Sequence, residues 1–126
     1  MPEELKNKVI VVVDDDPFIV EVITDYFAKN NTVYGYESAE LAQQVIPNLG
    51  PIDLFIVDYI LPGINGVELF HDLHPKHPES KFICISGEMS FEMAQQGHEL
   101  GFDALLLKPF DLALLEKNAL QMVSTR

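Results

Sequence analysis

Five short apolar runs, each followed by a stretch with helical spacing, leave this chain few folds to adopt. The first run, Val9-Ile10-Val11-Val12-Val13, is β-branched throughout and so predicts a buried strand over Lys8 to Val13 rather than a helix. Pro17 suits a first helical turn with Asp16 as its N-cap, and Phe18 to Lys29 repeats apolar residues at helical spacing. Asn30-Asn31 is a turn or helix C-cap, and Thr32 to Tyr36 follows as a short second strand. Ser38 caps a helix from Ala39 to about Ile46, before Pro47 and Gly50-Pro51. Ile52 to Val57 is the third strand and ends at Asp58. Asn65-Gly66 opens a third helix that runs to about His74, and Pro75 and Pro78 break the chain beyond it. Lys81 to Ile85 is the fourth strand, closed by Ser86-Gly87, and a helix from Ser90 or Phe91 to Leu100 stops at Gly101. Ala104 to Leu107 is the fifth strand, ended by Lys108-Pro109, and Asp111 caps a last helix. Such alternation means an α/β fold, with a parallel sheet between helices on both faces.

With 126 residues the chain fits one domain. Its formal net charge of −12, from 8 basic and 20 acidic residues, disfavours nucleic acid and anionic membranes, and suits a cation or a basic partner. No signal peptide and no apolar run of about 18 residues stands out, so a cytoplasmic location is expected. The lone cysteine, Cys84, lies inside Phe82-Ile83-Cys84-Ile85 and is expected to be a buried thiol.

In a parallel sheet the carboxyl ends of all strands form one rim, where ligands of open α/β folds bind. Asp14, Asp15 and Asp16 follow the first strand, Asp58 the third, Ser86 the fourth and Lys108 the fifth; the second contributes nothing obvious. Several carboxylates within about 4–6 Å repel, and one takes up a proton unless a cation intervenes. Oxygen donors of this kind suit Mg²⁺, while Lys108 can balance an anion and Ser86 can donate a hydrogen bond to it. Carboxylate, divalent metal, lysine and hydroxyl together describe phosphoryl transfer, in which a carboxylate can be the nucleophile.

Four stretches carry a resemblance: Val11 to Pro17, Asp58 to Gly66, Ile85-Ser86-Gly87 and Lys108-Pro109-Phe110. In order and spacing, from about Lys8 to Val123, they resemble the receiver domain of two-component response regulators. The resemblance implies a three-layer, doubly wound, five-stranded parallel sheet of flavodoxin-like strand order 2-1-3-4-5 with five helices. It implies that Asp58 accepts a phosphoryl group from a sensor histidine kinase or a histidine phosphotransfer protein, and signals to a downstream protein. By the same match Asp15 is a direct ligand of Mg²⁺ or Mn²⁺, Asp14 acts through a metal-bound water, and the Ile60 backbone carbonyl is a further ligand. Ser86 is the switch hydroxyl, Lys108 pairs with the phosphoryl group, and Pro109 follows in a cis peptide. Asp16 is the usual third acidic residue, though not a ligand.

The chain departs from the family where a switch aromatic is expected, since Leu105 stands three residues before the lysine. The signal is then expected to run through the fourth helix and its loops. Ile60, two after Asp58, cannot orient a water, so slow hydrolysis of the phosphoryl group is predicted; Glu88, two after Ser86, is the other position expected to tune that rate. His71, His74, His77 and His98 read as surface residues. Leu112, Leu115, Ala119 and Met122 read as helix core, with a homodimer face as the other use. Phe18 and Phe110 flank the acidic rim, each expected to be either exposed to receive a kinase or phosphotransfer helix or buried. The chain stops just after its fifth helix, so a single receiver domain without an output domain is expected over 1–126. The competing enzyme reading is a haloacid-dehalogenase-like phosphatase with Asp14 as nucleophile and Asp16 as acid/base; an interaction domain of the same fold without phosphorylation is the third.

Overall fold

The computed structural model describes residues 4–87 and 91–123, with the side chains of 91–94 excepted. Five strands alternate with five helices: β1 (Val9–Val13), α1 (Pro17–Phe27), β2 (Thr32–Tyr36), α2 (Ala39–Val45), β3 (Leu54–Asp58), α3 (Gly66–Leu73), β4 (Lys81–Ser86), α4 (Phe91–Leu100), β5 (Ala104–Leu107) and α5 (Leu112–Val123). All neighbours pair in parallel, in the order β2-β1-β3-β4-β5. The expected doubly wound architecture and strand order are therefore present.

The continuous apolar runs serve two cores at once, because successive strand residues point to opposite faces. Val11, Val13, Phe55, Val57, Phe82 and Cys84 join Ala39, Ala42, Leu69 and Phe70 from α2 and α3 on one side. Ile10, Val12, Leu54, Ile56, Ile83 and Ile85 join Ile23 and Phe27 of α1 and Leu115, Ala119 and Val123 of α5 on the other. The apolar stripe of α5 is thus turned into the second core: Leu115 and Ala119 are fully buried, and it is Leu114 that faces outward.

The predicted N-caps Asp16, Ser38 and Asp111 are made, and Asn65 adds a fourth. The Phe18 amide donates to Asp16 Oδ1 at 2.9 Å, Leu41 to Ser38 Oγ at 3.1 Å, Glu68 to Asn65 Oδ1 at 2.9 Å and Ala113 to Asp111 Oδ1 at 2.8 Å. Boundaries shift where prolines extend a helix by a tight turn instead of ending it. Ile46–Asn48 continues α2 through Pro47, and His74–Lys76 continues α3 through Pro75, both as 3-10 turns. The second turn corrects one expectation. His77 is half-buried, with its ring edge-on to Phe55 at 5.2 Å, and burial first, then Lys76, lowers its pKa. His71, His74 and His98 are exposed as expected, although the His74 ring lies over Phe70 at 4.9 Å.

Candidate functional site

The site is assembled where β1, β3, β4 and β5 end. Asp14 directly follows β1 and is fully buried; its amide donates to the Tyr36 carbonyl, so it continues the sheet by one residue. Asp14 Oδ1 accepts the Asp16 amide at 2.9 Å, and Oδ2 lies 2.7 Å from Lys108 Nζ. Asp58 is the last residue of β3 and only 4% exposed. Its Oδ1 accepts the Ile60 amide at 3.1 Å and its Oδ2 accepts from Lys108 Nζ at 3.0 Å. The lysine therefore bridges two strand ends. It can do so because β5 is stitched to β4, with the Lys108 amide donating to the Ser86 carbonyl at 2.6 Å. The Lys108–Pro109 peptide is cis, as the family pattern implies.

Asp15 is exposed, yet carboxylate oxygens of Asp14, Asp15 and Asp58 all lie within 4.8 Å of one another. Three carboxylates face one ammonium, which leaves the cluster with surplus negative charge. Desolvation raises the pKa of Asp14, and the Asp58 charge adds to the rise; hydrogen bonds from Lys108 and the Asp16 amide oppose it without cancelling it. Burial pulls the Lys108 ammonium down, but its hydrogen bonds to Asp14 and then Asp58 outweigh burial and leave it raised. The lysine is firmly cationic and the cluster still wants positive charge. An all-oxygen set of this kind fits a hard divalent cation such as Mg²⁺.

Other predicted residues sort themselves by position. Ser86 is the last residue of β4, fully buried and next to the strand that carries Asp58. Ile60 turns its side chain outward, 54% exposed, while its backbone is held to Asp58. Asp16 stays out of the carboxylate cluster: it is exposed, and its Oδ1 caps α1 by accepting the Phe18 amide. Leu105 is half-buried on β5 and packs beneath Gly97 of α4, where an added methyl would come 2.7 Å from Leu105 Cδ2. Glu88 lies outside the described residues. Phe18 is 68% exposed at the start of α1, whereas Phe110 is half-buried against the second core.

Two contacts that shape the site are not announced by the sequence, although Gly66 itself ends a stretch that carries the resemblance. Gly66 brings α3 against the end of β3 so closely that a Cβ there would overlap the Asp58 carbonyl oxygen, and its amide donates to the Tyr59 carbonyl at 3.1 Å. Glu40, in the first turn of α2, reaches the β3–α3 loop and accepts the Ile64 amide on Oε2 at 3.3 Å. The second strand, silent in sequence, thus leads into a helix that does touch the rim.

The family model for the response regulator receiver domain matches residues 10–120. Among curated relatives, Regulatory protein VanR of Enterococcus faecium is 31% identical over 102 residues, covering 80% of this chain and 43% of VanR. A probable cyclic di-GMP phosphodiesterase of Vibrio cholerae serotype O1 is 28% identical over 116 residues, 90% of this chain and 26% of that protein. The chain therefore spans less than half the length of either. A CheY-like response regulator receiver domain protein from Methanospirillum hungatei JF-1 superposes with a TM-score of 0.82 at 28% identity, covering 93% of this chain and 94% of that one. Domain match, strand order and rim chemistry agree, and the chain belongs to the response regulator receiver domain family.

Proposed function

We propose that Asp58 is the phosphoryl acceptor of this receiver domain, and that the donor is a phosphohistidine of a sensor histidine kinase or a histidine phosphotransfer protein. The observation that carries this reading is the pairing at Asp58: one oxygen is oriented by the Ile60 amide, the other is held at 3.0 Å by Lys108 Nζ. A carboxylate oxygen of Asp58 attacks phosphorus, the phosphorus–nitrogen bond breaks, and its electron pair stays on the imidazole, which takes a proton from solvent. Lys108 offsets charge on the phosphoryl oxygens, and the Ser86 hydroxyl serves them as a hydrogen-bond donor. Asp15 and Asp58 would hold Mg²⁺ or Mn²⁺ directly, with Asp14 through water and Ile60 through its carbonyl. Such an ion would supply the positive charge that three carboxylates and one lysine leave missing.

On this reading the domain has no external substrate. It catalyses its own phosphorylation and dephosphorylation, and signals by changing its fit to a downstream protein. The exposed Phe18 beside the acidic rim supports docking of a kinase or phosphotransfer helix there. Action in the cytoplasm follows from that donor, since such kinases present their histidine there; among the described residues no helix is long and apolar enough to cross a membrane. The test is incubation with acetyl phosphate and Mg²⁺ followed by intact mass measurement. The wild type should gain one acid-labile phosphoryl group, EDTA should prevent it, and Asp58→Asn should abolish it. Labelling that survives Asp58→Asn moves the acceptor elsewhere.

A further inference from the structure

We infer that Glu40 is a positioning residue for the metal side of this site, acting through the β3–α3 loop; the inference rests on the reading that this loop carries an Ile60 carbonyl ligand.

The loop from 59 to 65 leaves Asp58, crosses the rim and returns to α3. Its two ends are tied. The Ile60 amide is held by Asp58 Oδ1 at 3.1 Å, and the Gly66 amide closes back on the Tyr59 carbonyl at 3.1 Å. Leu61 anchors the near half by burying its side chain in the core that α2 and α3 share. The far half, Pro62-Gly63-Ile64, is held less firmly: Pro62 and Gly63 are exposed, and Ile64 is only partly buried against that core.

Glu40 adds a second hold on that half. Its Oε2 accepts the Ile64 amide at 3.3 Å and comes within 2.5 Å of where a Cβ on Gly63 would stand. Gly63 has φ +74, so the loop needs glycine there both for its backbone and for the carboxylate to come close. Glu40 sits in the first turn of α2, whose N-terminal dipole already favours a carboxylate. That helix is fixed at its start by the Ser38 cap and by Ala39 and Ala42, which are fully buried. The tether therefore runs from a helix fixed in the core to the less firmly held half of the loop. A loop held this way loses less freedom when its carbonyl is asked to ligate an ion, and preorganisation of this kind raises affinity without adding a contact.

The test compares Glu40→Ala and Glu40→Gln in ¹⁵N-labelled protein, reading amide exchange at Ile64 without metal and Mg²⁺ affinity from amide shifts during MgCl₂ titration. Glu40→Ala should speed Ile64 exchange and weaken Mg²⁺ binding about threefold. Glu40→Gln keeps an oxygen acceptor at the same reach and should restore both. Wild-type exchange and affinity in Glu40→Ala overturns the inference. So does Glu40→Gln behaving like Glu40→Ala, because that result assigns the effect to charge. If the wild type itself fails to bind Mg²⁺, the reading of the site falls, and Ile64 exchange alone then decides whether Glu40 holds the loop.

Discussion

Aspartates stand at both ends of this sheet and do opposite things. At the amino edge, Asp53 precedes β3 and Asp103 precedes β5, and each forms the same reciprocal pair with the first residues of a neighbouring strand. The Asp53 amide donates to the Val9 carbonyl at 2.9 Å while Val9 donates to Asp53 Oδ2 at 2.8 Å. The Asp103 amide donates to the Phe82 carbonyl at 2.8 Å while Phe82 donates to Asp103 Oδ2 at 2.8 Å. These carboxylates satisfy strand amides that would otherwise have no partner, so their charge is used locally. At the carboxyl edge, Asp14 and Asp58 share a single ammonium with Asp15 nearby, and the charge is left over for a ligand. Residue type does not separate structure from function here; the balance of donors around each carboxylate does.

Substitutions at the two edges should divide cleanly. The largest difference is in labelling: Asp58→Asn abolishes phosphoryl transfer, whereas Asp53→Ala leaves it intact. In stability the order reverses. Asp53→Ala strips the Val9 amide of its acceptor and should cost about 2 kcal/mol in urea unfolding. Asp14→Asn, measured in EDTA, should instead stabilise the protein by about 1 kcal/mol, because it removes a desolvated charge while Lys108 keeps Asp58.

The pH dependence of Asp14 carries its own sign. The folded protein holds the Asp14 proton to higher pH than the unfolded chain does. Metal-free stability therefore falls as pH rises from the ordinary carboxylate value to the raised one, and the full cost is present above it. Asp14→Asn should flatten that fall; an unchanged profile would remove Asp14 as its source. The smallest effect concerns Ile60, whose exposed side chain stands beside Asp58 and offers water no hydrogen bond. Ile60→Asn should speed loss of the phosphoryl group roughly threefold, followed by the decay of the labelled mass.

The strands, caps and rim can be read from sequence because each rests on local chemistry: β-branched runs, a Ser or Asp before a helical period, an Asp where a strand ends. What cannot be read depends on which segments meet. Glu40 lies 24 residues from Ile64, and nothing in either neighbourhood announces the contact. Nothing in the sequence marks Asp53, which falls inside the expected third strand, or Asp103, because the amides they accept sit on other strands. His77 reads as exposed between prolines, but the 3-10 turn before it folds the ring back on Phe55. Leu105 is visible in sequence as a departure from the family; that its room comes from Gly97 on α4 is not.

Cys84 lies on β4 beside Val57, fully covered, and burial, reinforced by the Asp58 charge, pushes its thiol pKa up to about 12. A thiol reagent at neutral pH meets neither an accessible sulfur nor a thiolate while the sheet is closed. The single cysteine is thus an internal clock: its labelling rate reports how often the centre of the sheet opens, and comparing that rate with and without Mg²⁺ measures how far occupancy of the rim locks the strands beneath it.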